Sequence, residues 1–252
     1  MKKKILVRGP VLSQSGYGEQ ARFALRALRS RSDIFDIYVQ PIRWGQTGWI
    51  WEDTEERRWI DDRITKTAHY TREKGQMDIS LQITIPNEWE NLAPTNIGYT
   101  AGIESDRVSP AWLYKANQMD KVIVVSDHSR DVYQNTTAKG QDPVTGNEMT
   151  YALETRVESV GYAIRDVEAA PIVGFSPSPA FNFLCVSQWG PRKNFENTIK
   201  WWVEEFHDQN VGLILKTSIA NNSSIDKTKT EELLKSIIEK YENRKCKVYM
   251  LH

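Results

Sequence analysis

The stretch Phe183–Trp202, FLCVSQWGPRKNFENTIKWW, decides the reading of the chain. An apolar run, Phe183–Val186, ends in a polar loop, and an amphipathic segment follows at once, with Phe195, Ile199 and Trp202 at helical spacing. This is a strand handing over to a helix, and it places two adjacent cations, Arg192 and Lys193, at the handover. The first turn of a helix has amides without intrahelical partners and the positive end of the helix dipole. Cations there complete a site for a phosphate. The bland alternative is a pair of solvated loop side chains.

The same rhythm extends outward in both directions. After residue 180 the strands FNFLCVSQ, VGLILKTS and CKVYMLH alternate with the helical segments NFENTIKWWVEEFH and KTEELLKSIIEKY. Lys216 lies just past the second of these strands, on the same sheet edge as Arg192 and Lys193, and cations after neighbouring strands can converge on one ligand. Before residue 169 the strands KKILVRGPVL, FDIYVQPIRW, MDISLQITIP, TNIGYTAG and KVIVVS are joined in part by helical segments, Ser109 and Pro110 marking the start of one, while the Trp-rich GQTGWIWEDTEERRWI after the second strand has no clean period. Asp142-Pro143 and Gly146-Asn147 signal a hairpin-like excursion before a sixth strand. Residues 169–180 fall in a proline-rich linker. Strand–helix alternation of this kind implies α/β architecture with parallel sheets. The expectation is two Rossmann-like, doubly wound domains, 1–168 and 181–252, the second of them incomplete.

Composition narrows the partners. Across 252 residues, 33 basic side chains balance 33 acidic ones, so no global field points to nucleic acid or a membrane surface. No run approaches the roughly 20 apolar residues of a spanning helix, and the basic start leads into Arg8-Gly9-Pro10 rather than an apolar signal core. A cytoplasmic location is expected. Cys185 and Cys246 sit inside apolar runs as free thiols. His69, His128, His207 and His252 are scattered, which supports neither a zinc site nor a Ser-His-Asp triad.

In the first domain Gly16 and Gly18 follow the first strand and open the first helix, where a missing side chain lets backbone approach a ligand. A tight turn explains them equally well. The third glycine of a dinucleotide fingerprint is absent, Ala21 standing in its place, and no Gly-Lys-Ser/Thr follows. Glu104 and Asp106 follow the fourth strand, as orienting groups for an acceptor hydroxyl or as surface charges. Trp44, Trp49, Trp51 and Trp59 suit stacking on sugar faces, although a satellite hydrophobic cluster is the plainer reading.

Three blocks in order, GPVLSQSGYGEQARFALRAL, GYTAGIESDRVSPAWLYKANQMDKVIVVSDHSRDVY and FLCVSQWGPRKNFENTI, resemble group-1 (glycogen-synthase-like) glycosyltransferases of the GT-B fold. The strand followed by W-x-P-R-K is the most specific part. The resemblance implies transfer of a sugar from a nucleoside-diphosphate-sugar to an acceptor hydroxyl, without a metal or other cofactor and with retention. It makes Lys193, and with it Arg192, the cations on the leaving diphosphate, with Glu104 in the catalytic set. Gly16, Gly18, Ser187, Gln188 and Lys216 fall to the nucleotide-sugar, and Tyr17 and Asp106 to the acceptor side. The sequence departs from the family at Ser187 and Gln188, where a Gly-Arg pair is usual. The family's paired glutamates in a glycine-rich setting belong downstream of the KVYML strand, so the resemblance implies a truncated second domain. The alternative is a noncatalytic nucleotide- or glycan-binding module of the same fold. A different Rossmann-like enzyme is disfavoured by the absent third glycine and the lack of a Tyr-x-x-x-Lys pair.

Overall fold

The computed structural model describes residues 2–141 and 145–252. The turn expected at Asp142-Pro143 lies outside the described residues. The chain forms two compact units, one comprising residues up to Trp44 with Ile50–Arg165, the other Gly45–Trp49 with Asp166–His252.

The first unit runs β1 (Lys3–Gly9), α1 (Gly16–Arg29), β2 (Phe35–Pro41), α2 (Glu55–Arg72), β3 (Ile79–Ile83), β4 (Thr95–Tyr99), α3 (Pro110–Ala116), β5 (Lys121–Val124), α4 (Asp127–Asn135), β6 (Ala138–Gln141), β7 (Glu148–Tyr151) and β8 (Val157–Ser159). Six strands form one sheet in the order β2-β1-β3-β4-β5-β8, every neighbouring pair parallel. The chain steps from β1 outward to β2, then returns past β1 to β3. Open α/β sheets bind ligands at the carboxyl edge beside such a reversal, and α1 begins there. The expected hairpin is the antiparallel pair β6–β7.

Strand alternation decides the two faces. Ile5, Val7, Leu81 and Ile83 pack with Ala21 and Leu25 of α1. Val122 and Val124 point the other way, into a cluster with Trp89, Leu113 and Tyr133. Gly98 is a glycine because a Cβ there would lie 2.6 Å from the Trp89 ring.

The helix α2 is an addition to the sequence reading, in which this stretch has no clean period. Thr54 caps it by accepting the Arg57 N–H at 3.1 Å, and Glu55 and Glu56 occupy its first turn. Arg26 of α1 grips Glu56 through two hydrogen bonds, 2.6 and 2.7 Å. Thr67 Oγ1 accepts the Val39 N–H at 2.7 Å, so the helix occupies the outer rim of edge strand β2.

The second unit holds β9 (Asn182–Val186), α5 (Phe195–Glu205), β10 (Gly212–Lys216), α6 (Ser224–Ile238) and β11 (Lys247–Leu251). Its parallel sheet has the order β11-β10-β9. Leu213 and Leu215 pack with Phe195, Ile199, Val203, Leu234 and Ile237, so both helices cover one face. On the opposite face Leu184 and Val186 are each 67% exposed. Among the described residues no helix is long and apolar enough to cross a membrane.

Candidate functional site

The handover after β9 is stitched to its neighbour. Ser187 N–H donates to Lys216 O at 3.1 Å, Trp189 N–H to Ser218 O at 2.8 Å, and Gln188 Nε2 to Ile219 O at 2.8 Å. Gln188 thus ties two loops together, and Ser187 turns its own hydroxyl onto the Gln188 carbonyl at 3.2 Å. Trp189 packs on Phe195 with ring centroids 5.0 Å apart, fixing the loop against the start of α5.

Between them Pro191–Lys193 form one 3-10 turn, closed by Lys193 N–H to Gly190 O at 3.1 Å. The exposed side chains of Arg192 and Lys193 therefore stand on the turn immediately before α5. Asn194 occupies the cap position in a left-handed conformation, φ 50°. Its Oδ1 accepts from Asn197 Nδ2 at 2.8 Å, and no side chain caps the first-turn amides. A left-handed asparagine is tolerated where most residues are not. The result is a helix start with uncapped amides, the positive dipole end and two cations.

Lys216 lies on the face of its sheet that α5 and α6 leave uncovered. Leu213 and Leu215 point toward α5 and α6, so period-two alternation sends Lys216 to the opposite face, level with Val186 and Leu251. It is exposed at the carboxyl end of β10.

In the first unit Ser15 caps α1 by accepting the Gly18 N–H at 3.1 Å. Both glycines lie inside the first helical turn, and they differ. A Cβ on Gly18 would sit 2.1 Å from Ser13 O, so the fold itself requires that glycine. A Cβ on Gly16 would meet nothing within 4 Å. Tyr17 turns inward, its ring 4.4 Å from that of Trp44. Its hydroxyl lies 3.0 Å from Thr100 Oγ1 and accepts the Ala101 N–H at 3.0 Å. Burial pushes the Tyr17 hydroxyl above its ordinary pKa.

The loop after β4 carries Glu104 and is pinned along its length. Besides the Ala101 bond, Ile103 N–H donates to Ser129 Oγ at 3.1 Å and Val108 N–H to Thr136 Oγ1 at 3.2 Å. Neither Ser129 nor Thr136 is signalled by spacing, because each reaches back from α4 or its end. Glu104 lines a cleft of about 370 Å³ together with Ser105, Arg107, Ser109 and Trp112. Asp106 is fully outside, 88% exposed, and faces only Arg107 at 3.8 Å among the ion pairs of this loop. The four tryptophans do not form one cluster. Trp44 stacks on Tyr17 and Trp59 joins the α1 core, whereas Trp49 and Trp51 are 56% and 79% exposed. Cys246 is a buried free thiol, while Cys185 is only half-buried, its pKa raised by burial. Among the described residues no three His, Cys, Asp or Glu side chains are grouped so as to hold a metal ion.

No family model matches the chain, and no curated protein matches it. Among solved structures, an O-GlcNAc transferase mutant from Thermobaculum terrenum is similar over 100% of this chain and 45% of its own, with 11% identity and a TM-score of 0.45. The chain spans less than half the length of that protein.

Proposed function

We propose that the chain belongs to a GT-B glycosyltransferase that uses a nucleoside-diphosphate-sugar, the first unit serving the acceptor and the second the donor. The observation that carries the reading is the start of α5, where Arg192 and Lys193 stand on a 3-10 turn before uncapped first-turn amides. In the proposed reaction the bond from the sugar's anomeric carbon to the β-phosphate oxygen breaks, and its electron pair stays on the phosphate. The acceptor oxygen forms the new bond to that carbon and gives its proton to the departing diphosphate. Negative charge grows on the β-phosphate during this step. Cations already in place therefore stabilise the transition state more than the ground state, by roughly 3–4 kcal/mol for a favourable interaction. Charge neutralisation by side chains and amides assigns no role to a metal in this reading. Gly16, with open space where a side chain would be, is the glycine we assign to ligand approach in the first unit.

Titration of UDP and of GDP into the wild-type chain, Lys193→Ala and Lys200→Ala tests the reading. Lys200 is a matched control, since it sits on α5 paired with Glu196 at 2.6 Å. Lys193→Ala is expected to weaken diphosphate binding at least tenfold, and Lys200→Ala less than twofold. Equal losses for the two variants, or no binding of either nucleotide to the wild type, would overturn it.

A further inference from the structure

We infer that a cavity on the α1 face of the six-stranded sheet binds a small neutral ring compound carrying an amide, whose polar edge pairs with the side chain of Gln20. The cavity has a volume of about 260 Å³ and lies wholly within the first unit. Ala24 and Ala27 leave it open along α1, and Leu81 of β3 and Ile123 of β5 form its floor. Residues 160–163, just after β8, close the far side.

Gln20 is the group that calls for a ligand. It is 2% exposed, yet neither its amide oxygen nor its amide nitrogen has a hydrogen-bond partner among the described residues. The Tyr99 hydroxyl is turned toward it without reaching hydrogen-bond geometry. A carboxamide cut off from water and left unpaired is costly, and folded proteins keep few of them. The other side chains of the lining are aliphatic or aromatic, Tyr99 and Tyr162 alone among them bearing hydroxyls. An unmet donor and an unmet acceptor therefore stand side by side in the wall of an apolar cavity.

The lining separates the ligand classes. Among the described residues no charged side chain lines the cavity, so an ion would lose its hydration there without a counter-charge. A sugar would press hydroxyls against Leu28, Leu81 and Ile123, which offer them no partner. A hydrocarbon would fill the space and leave Gln20 unpaired. A carboxamide or lactam edge presents one N–H beside one C=O, the complement of the C=O and N–H of Gln20. Its ring would lie among Phe23, Tyr99 and Tyr162, where offset or edge-on contact is favourable. The volume falls just below the roughly 300–1,000 Å³ of sites for drug-sized ligands, which suits a single ring system.

The walls are fixed before any ligand arrives. The Val160 N–H donates to Val124 O at 2.8 Å, and Arg165 Nε donates to Glu19 Oε1 at 2.7 Å, so residues 160–163 are tied down on both sides. The guanidinium of Arg26 lies 4.8 Å over the Phe23 ring. Little has to be ordered when a ligand enters such a cavity.

The test titrates benzamide and oxindole into the wild-type chain, Gln20→Leu and Ala27→Phe, following binding by ligand-observed NMR and calorimetry. Benzoate and toluene are the charged and apolar controls. Ala27 is exposed, so Ala27→Phe obstructs the cavity without disturbing the core. At least one of the two amides is expected to bind the wild type with a millimolar Kd and each variant at least fivefold more weakly. Toluene is expected to bind Gln20→Leu at least as tightly as the wild type. Gln20→Leu is expected to unfold at the wild-type temperature or above it, because it removes an unpaired amide and no hydrogen bond. The inference is overturned if neither amide binds, if an amide binds the wild type and Gln20→Leu equally, or if benzoate binds as tightly as benzamide. An unfolding temperature of Gln20→Leu well below that of the wild type overturns it too, since the amide would then have its partner inside the protein. None of these outcomes bears on the diphosphate reading, whose residues Arg192 and Lys193 belong to the second unit.

Discussion

Arg165 donates from Nε to Glu19 Oε1 at 2.7 Å, joining residues 146 positions apart. The last residue of the first unit is thereby fastened to the first turn of α1. Glu19 also receives Arg22 Nη2 at 2.8 Å and Arg26 Nη1 at 3.3 Å. Burial alone would raise its pKa, but the hydrogen bonds and charges of Arg165 and Arg22 outweigh it and pull the carboxyl down to about 2.

A carboxylate whose folded pKa lies below its unfolded one stabilises the fold above the unfolded value and loses that contribution as pH falls through the folded value. Glu19→Gln is therefore expected to lower stability at pH 7 by about 1–2 kcal/mol, solvent screening included. The difference from wild type should shrink between the ordinary value of 4.5 and about 2. Urea midpoints at pH 7 and pH 3 measure it. A gap of the same size at both values would mean that the ion pair is not its source.

The two glycines of α1 should separate cleanly. Gly18→Ala forces a Cβ to within 2.1 Å of the Ser13 carbonyl, a backbone atom that cannot swing aside. We expect a loss of about 3 kcal/mol. Gly16→Ala meets open space at the first helical position and should gain up to about 1 kcal/mol. Thermal unfolding of the two variants distinguishes these outcomes, and similar losses would contradict the helix start described.

Tyr17→Phe removes the hydroxyl that accepts the Ala101 N–H, at an expected cost of about 1–2 kcal/mol. Because burial raises the Tyr17 pKa in the fold, its hydroxyl contributes below the ordinary value of 10 and loses that contribution as pH rises through the higher folded value. The variant should therefore differ from wild type most at pH 7 and least in strong alkali. Hydrogen exchange at Ala101 should also quicken in the variant, and unchanged exchange would show that the loop is held by other means.

Thr67→Val keeps the shape of a side chain that is 8% exposed but removes the acceptor of the Val39 N–H. The expected cost is about 1–3 kcal/mol, with faster exchange at the Val39 amide. Full retention of Val39 protection would show that β2 has another shield.

Most strands of the sheets were legible because a parallel strand covered on both faces reads as a short apolar run. KVIVVS contains β5 and VGLILKTS contains β10. The start of α1 at Gly16 is legible because the two glycines follow the first strand directly, whereas the Ser15 cap on the Gly18 amide is not. The helix α2 was missed because it buries only Ile60 and Thr67, and a threonine does not register in an apolar period. Thr54 followed by two glutamates was the signal available. At the site, the cations at α5 were visible in the sequence, and so was the face of Lys216, had the alternation of Leu213 and Leu215 been carried one residue further. The supports of the Glu104 loop were not. Ser129 and Thr136 hold amides 26 and 28 positions upstream, and no local pattern encodes a hydrogen bond between distant loops.

The Thr67–Val39 bond also bears on how the protein behaves in concentrated solution. Sheets polymerise by accepting foreign strands along an unguarded margin. At one margin of the six-stranded sheet α2 lies against β2, and at the other β8 offers only Val157–Ser159, 3 residues. Among the described residues the six-stranded sheet thus presents no long bare margin for a foreign strand to zip onto.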